Sequence, residues 1–154
     1  PMATALPKGE PGTCRELGGP ILERSETVTV GEALERAETL RPGSKISAAM
    51  RQQWLREVDG LLRERLFAKS ATKDYDAVGA DVGWQDGLRD DVPLLAPAPF
   101  DALYPHYLCA CTDAALGETD RYAGEQAQYN ALLNELAVWL RQRYPSVRRV
   151  QWRW

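Results

Sequence analysis

The sequence predicts an all-α fold, a helical bundle built on a long antiparallel α-hairpin. Between Pro99 and Pro145, apolar residues recur at spacings of three and four over two long stretches. Only Gly117-Glu118-Thr119-Asp120 separates those stretches, a break too short for anything but an antiparallel turn. Two further segments of helical period, each with its own start signal, lie upstream. A long irregular loop and extended termini complete the expected chain.

Residues 1–27 carry four prolines and Gly9, Gly12, Gly18 and Gly19, with no periodic apolar face. That composition predicts an arm or a non-native extension rather than part of the core. Thr29-Val30-Gly31-Glu32 then forms a capping box, hydroxyl at the cap and carboxylate three residues on. A short helix follows with Ala33, Leu34, Ala37 and Leu40 inward, and it stops before Pro42-Gly43.

Ser47 caps a longer helix whose apolar line reads Met50, Trp54, Val58, Leu61 and Leu62. Arg51, Gln52, Arg56, Glu57, Asp59, Arg63 and Glu64 are assigned to its wet face. Fully burying Trp54 or Leu61 returns about 1.5–3 kcal/mol each. Gly60 costs roughly 1 kcal/mol against Ala, which predicts a close helix contact at that point.

From Ala68 to Pro97 the periodicity fails, and a connection of that length is usually functional. It is acidic, with Asp74, Asp76, Asp81, Asp86, Asp90 and Asp91 against Lys69, Lys73 and Arg89. Tyr75, Val78, Val82 and Trp84 are its scattered hydrophobes and leave room for a short β-hairpin; such a loop suits a neighbouring copy or a cavity wall. Val92-Pro93-Leu94-Leu95 returns the chain to the core, and Pro97 and Pro99 stiffen the approach to the hairpin.

In the hairpin, Asp101 is the expected N-cap, and Pro105 predicts a tight first turn. The first helix presents Tyr104, Tyr107, Leu108, Cys111 and Ala115. The second presents Tyr122, Tyr129, Leu133, Leu136, Leu140 and Tyr144. Residues 28–145 thus form the helical domain and 146–154 a tail. In that tail Val147, Arg148, Arg149, Val150, Trp152, Arg153 and Trp154 alternate with a period near two, which fits a strand added to a partner or an anchor peptide.

The totals narrow the function classes. With 154 residues, 44% apolar and 27% charged, the chain is long enough for one folded core. A net charge of −3 gives no sequence-independent grip on nucleic acid. No apolar run is long enough to span a bilayer. No basic start leads into an apolar signal region, so cytoplasmic synthesis is expected. Three cysteines fit reduced thiols better than a disulfide framework.

Candidate chemistry is sparse. His106 and Cys109 share a helix face, but Cys111 points nearly opposite and Cys14 lies in the arm, short of the convergent ligands zinc requires. Asp74-x-Asp76 with Gly79 starts like a calcium loop, yet Val78 and Gln85 occupy ligand positions. There is no phosphate-cradling glycine loop, nucleophile elbow or Cys–His–Asn set. No catalytic residue, metal or cofactor is therefore assigned. The tail arginines and tryptophans could stack on single strands. With five arginines and no lysine beyond residue 140, protein docking is the preferred use.

Thr29-Val30-Gly31-Glu32-Ala33-Leu34, Trp54-Leu55 with Asp59-Gly60, and Leu94-Leu95-Ala96-Pro97-Ala98-Pro99-Phe100-Asp101-Ala102-Leu103-Tyr104 form a recurring pattern, continued by Tyr107-Leu108, Gly117-Glu118, Arg121-Tyr122 and Asn130. From Thr29 to Tyr144 the chain resembles the head–tail connector (adaptor) proteins of tailed phages and prophages. The resemblance implies a structural virion protein of the neck, made in the host cytoplasm. It further implies a closed homo-oligomeric ring, a dodecamer by that likeness, below the portal protein and continuing the DNA channel. Its partners would be the portal and the next neck or tail-completion protein, with no membrane. The loop 68–97 would face neighbours or the channel, where its aspartates would let genomic DNA pass without gripping it. The rival readings are a small DNA-binding or DNA-packaging protein using Arg148, Arg149 and Arg153, and a metal-dependent helical enzyme.

Overall fold

The structure, a computed structural model, describes residues 27–70 and 89–146. They form a mostly helical fold with a small two-stranded sheet. The order is β1 (Thr27–Thr29), α1 (Val30–Leu40), α2 (Ala48–Arg65), a 3-10 turn (Phe67–Lys69), β2 (Pro93–Pro97), a second 3-10 turn (Phe100–Ala102), α3 (Leu103–Leu116) and α4 (Thr119–Arg143). The arm, the loop hydrophobes and the tail lie outside the described residues, apart from Thr27, which opens β1.

The helix starts follow the sequence signals. Thr29 Oγ1 accepts from Glu32 N–H (3.3 Å) while Glu32 Oε2 accepts from Thr29 N–H (3.0 Å), completing the capping box. Ser47 Oγ likewise accepts from Met50 N–H (3.2 Å). Two further donors of α1 are satisfied from afar: Val30 N–H reaches the Val92 carbonyl (2.9 Å) and Gly31 N–H that of Asp90 (3.0 Å). Gly31 permits this approach, since a Cβ there would stand 3.0 Å from Asp90 Cβ. Between α3 and α4, Gly117 takes a left-handed φ of 76° and Glu118 N–H returns to the Asp113 carbonyl at 2.8 Å. That closure ends α3 and lets α4 fold back along it.

Three expectations need correction, and the strand pair seen among the described residues lies outside the stretch 71–88. β1 pairs antiparallel with β2, Thr27 opposite Pro97 and Thr29 opposite Pro93, so the segments flanking α1 and α2 meet. Asp101 is no N-cap: it sits in the 3-10 turn before α3, where its carboxylate accepts from Arg36 Nη1 at 2.9 Å. The buried line of α2 is Leu55, Val58, Asp59 and Leu62, rotated from the expected one, and Met50 is exposed. Gly60 has nothing within 4 Å of its Cβ position, so among the described residues no helix approaches there. The core joins Val30, Ala33, Leu55, Val58, Leu62, Leu94, Leu95, Leu103, Tyr104, Leu108, Leu136 and Leu140, drawing every long element onto one interior.

Candidate interface

The C-terminus of α1, the N-terminus of α2, the end of α3 and the start of α4 gather at one end of the fold, the hairpin tip. Arg41, the last cap of α1, holds them. Its Nε and Nη2 donate to the two oxygens of Asp113 at 3.0 Å each, a fork-on-fork pair, and Nη2 also donates to Glu125 Oε1 at 2.9 Å. The Asp113 side chain is 1% exposed, and its bond raises the guanidinium further above its ordinary range. Glu125 Oε2 stands 2.6 Å from His106 Nδ1; since a carboxylate only accepts, the imidazole presents Nδ1–H to it. One chain of charged groups therefore ties α1 to both hairpin helices. Beside it, Glu38 pairs with Arg51 and accepts from Gly43 N–H (3.1 Å), which pins the α1–α2 link and lowers the Glu38 pKa.

A groove of about 560 Å³ opens over this clamp. Leu40 and Leu116 flank it, Thr112 and Asp113 form its floor, and Glu118 and Arg121 stand at the start of α4. Four of the five large hydrophobics exposed among the described residues, Leu40, Met50, Leu116 and Tyr122, belong to this end. Exposed apolar groups gathered in this way mark interaction surfaces.

The opposite end is aromatic. Phe100 and Trp139 stack tilted at 5.7 Å, Trp139 meets Tyr144 edge-on at 6.1 Å, and the Arg143 guanidinium lies 5.7 Å from the Trp139 ring. A shallower groove of about 420 Å³ runs past Phe100, Val138 and Trp139. At this end Ser70 bridges antiparallel to Ser146. Ser70 and Ser146 are the described residues that directly precede 71–88 and 147–154.

Between the two ends sits Asp59, fully buried. Its Oδ1 accepts from the Tyr104 hydroxyl (3.0 Å) and from Leu95 N–H (3.3 Å), and the same hydroxyl accepts from Ala96 N–H (2.9 Å). Two amides of β2 are thus satisfied by side chains. Oδ2 has no hydrogen-bond partner and faces Arg63 Nη2 at 3.9 Å. Burial first of all pushes the Asp59 pKa up, against the pull of Leu95 N–H, the Tyr104 hydroxyl and Arg63.

Of the residues singled out from the sequence, Asp90 and Asp91 are described. Both are exposed on the turn before β2, and Asp91 pairs with Arg89, which lowers its pKa. Tyr75, Val78, Val82, Trp84, Asp74, Asp76, Asp81, Asp86 and the tail residues Val147 to Trp154 lie outside the described residues. Cys109 is buried with its thiol 3.9 Å from the Ala37 carbonyl, and burial, then the Glu125 charge, push it up to about 11. Cys111 is half-buried beside Tyr107, and burial raises it too. Among the described residues no three His, Cys, Asp or Glu side chains converge as metal ligands. No helix there is long and apolar enough to cross a membrane. Comparison with protein-family models, curated proteins and solved structures finds no match.

The sequence reading missed Arg41, Asp113, Glu125 and the buried role of Asp59. A signal existed for two of them. Asp59 falls at i+4 from Leu55 and i−3 from Leu62, and Asp113 at i+4 from Cys109, so each sits on an apolar stripe.

Proposed function

We propose that this chain is a structural subunit of a tailed-phage or prophage neck, a head–tail connector whose helical bundle is built on the α3–α4 hairpin. Identical copies form a ring below the portal and continue the DNA channel, and no catalysis is required of them. The observation that carries the reading is the Ser70–Ser146 bridge. It roots the acidic loop and the Arg/Trp tail together at one end of a helical body, while the exposed apolar groups Leu40, Met50, Leu116 and Tyr122 gather at the other. A body with distinct contact surfaces at its two ends suits a part that joins neighbours rather than one that transforms a substrate.

The test is electron microscopy and light-scattering mass of the purified protein, alone and with portal protein. Ring particles, or assembly on adding portal, are expected. Strictly monomeric behaviour in both conditions would remove the reading, and DNA binding that falls steeply with salt would favour a packaging role instead.

A further inference from the structure

We infer that the groove at the hairpin tip is the acceptor for the C-terminal segment, residues 147–154, of a second copy of this chain. The inference rests on the ring-subunit reading and supplies its junction. The groove offers what such a segment needs. Leu40 and Leu116 flank it, 43% and 50% exposed, and can take apolar surface from a tryptophan. At its floor Asp113 is paired with Arg41, a cation that Glu125 shares. Glu118 and Asp120 stand exposed at the start of α4, with Arg121 as the opposing cation. The segment Val147-Arg148-Arg149-Val150-Gln151-Trp152-Arg153-Trp154 carries three arginines, two tryptophans and no acid. Arginine and tryptophan are the residue types that anchor interfaces.

Reach decides whose segment it is. Eight residues fully extended span roughly 26–29 Å. The groove lies at the start of α4, a helix of 25 residues and so about 37 Å long. Ser146 follows its far end and pairs with Ser70, which in turn lies past the far end of the 18-residue α2, about 27 Å from the tip. A chain's own segment would spend its whole length travelling, bringing at most Trp154 to the edge of the groove and leaving Trp152 short of it. A tail-to-tip contact therefore joins two copies through different surfaces, the kind of junction that closes into a ring when its rotation allows.

The test uses three full-length proteins and their masses by light scattering: wild type, the acceptor variant Leu116→Asp, and the donor variant Trp152→Ser/Trp154→Ser. Leu116 is half exposed, and circular dichroism melts check that both variants keep the wild-type helix content. Wild type should run as an oligomer and each variant as a monomer. An equimolar mixture of the two variants should then reach twice the monomer mass and no more, because one intact tail meets one intact groove and neither end can extend. A mixture that stays monomeric, or a variant that keeps the wild-type mass, overturns the inference. The second of those results leaves the ring reading standing on another surface. A wild type that is monomeric even with portal protein overturns both.

Discussion

Asp59 and Asp113 are the two most deeply buried carboxylates among the described residues, and they are handled in opposite ways. Asp113, at the hairpin tip, meets a guanidinium squarely with both oxygens. Asp59, in the middle of the body, meets a hydroxyl and a backbone amide with one oxygen and nothing within hydrogen-bond distance with the other. The first is matched by the cation that, with Glu125, draws three helices together. The second, with Tyr104, satisfies two amides of β2, and its charge is a cost carried for that service. Burial alone therefore says little about what an acidic residue does here; the identity of the donor decides it.

The contrast predicts its own largest effect. Arg41→Ala leaves Asp113 buried without its cation and Glu125 with only His106, so it should destabilise by about 3–5 kcal/mol in denaturant melts. Arg41→Lys keeps the charge, loses the fork and should fall between. A loss from Arg41→Ala below about 1 kcal/mol would mean the tip is held by packing, and the distinction between the two carboxylates would collapse.

Tyr104→Phe probes the other side. The hydroxyl both donates to Asp59 and accepts from Ala96 N–H, so its removal strands a buried amide and weakens the support of a buried carboxylate. The expected cost is about 1–3 kcal/mol, read from the same melts. Hydrogen exchange of the Ala96 amide should speed up with it. A neutral result would show that β2 does not depend on these side chains.

What the sequence made legible, and what it hid, divides along the same line. The capping box at Thr29, the Ser47 cap, the stop before Pro42-Gly43 and the Gly117 reversal all depend on groups within a turn of one another, and each is present. Asp59 was misplaced on the wet face because its partners, Leu95 and Tyr104, are 36 and 45 residues away. The clamp joins Arg41 to residues 72 and 84 positions on, and no local rule points across such distances. The pairing of Thr27 with Pro97 is likewise a long-range fact, carried by a strand whose prolines read as loop. Of the interface, residue types in the tail were legible, but the groove was not, because it is assembled from the ends of α1, α3 and α4.

The smallest effect is the most specific one. Asp59→Asn keeps an acceptor for Leu95 N–H and the Tyr104 hydroxyl while removing the buried charge, so near neutral pH it should change stability by no more than about 1 kcal/mol. The informative readout is the pH dependence of the difference between wild type and variant. Burial raises the folded-state pKa of Asp59 above its ordinary value of 3.8, so the folded protein holds this proton more tightly than the unfolded chain does. The stability that the proton confers is fully present below the unfolded value and is lost as pH rises through the folded one. Wild type should therefore gain on Asp59→Asn as the solution is acidified from neutrality, the reverse of what a carboxylate paired with a cation would do. A difference that is flat in pH, or that moves the other way, would mean Arg63 at 3.9 Å does for Asp59 what Arg41 does for Asp113, and the two sites would be alike after all.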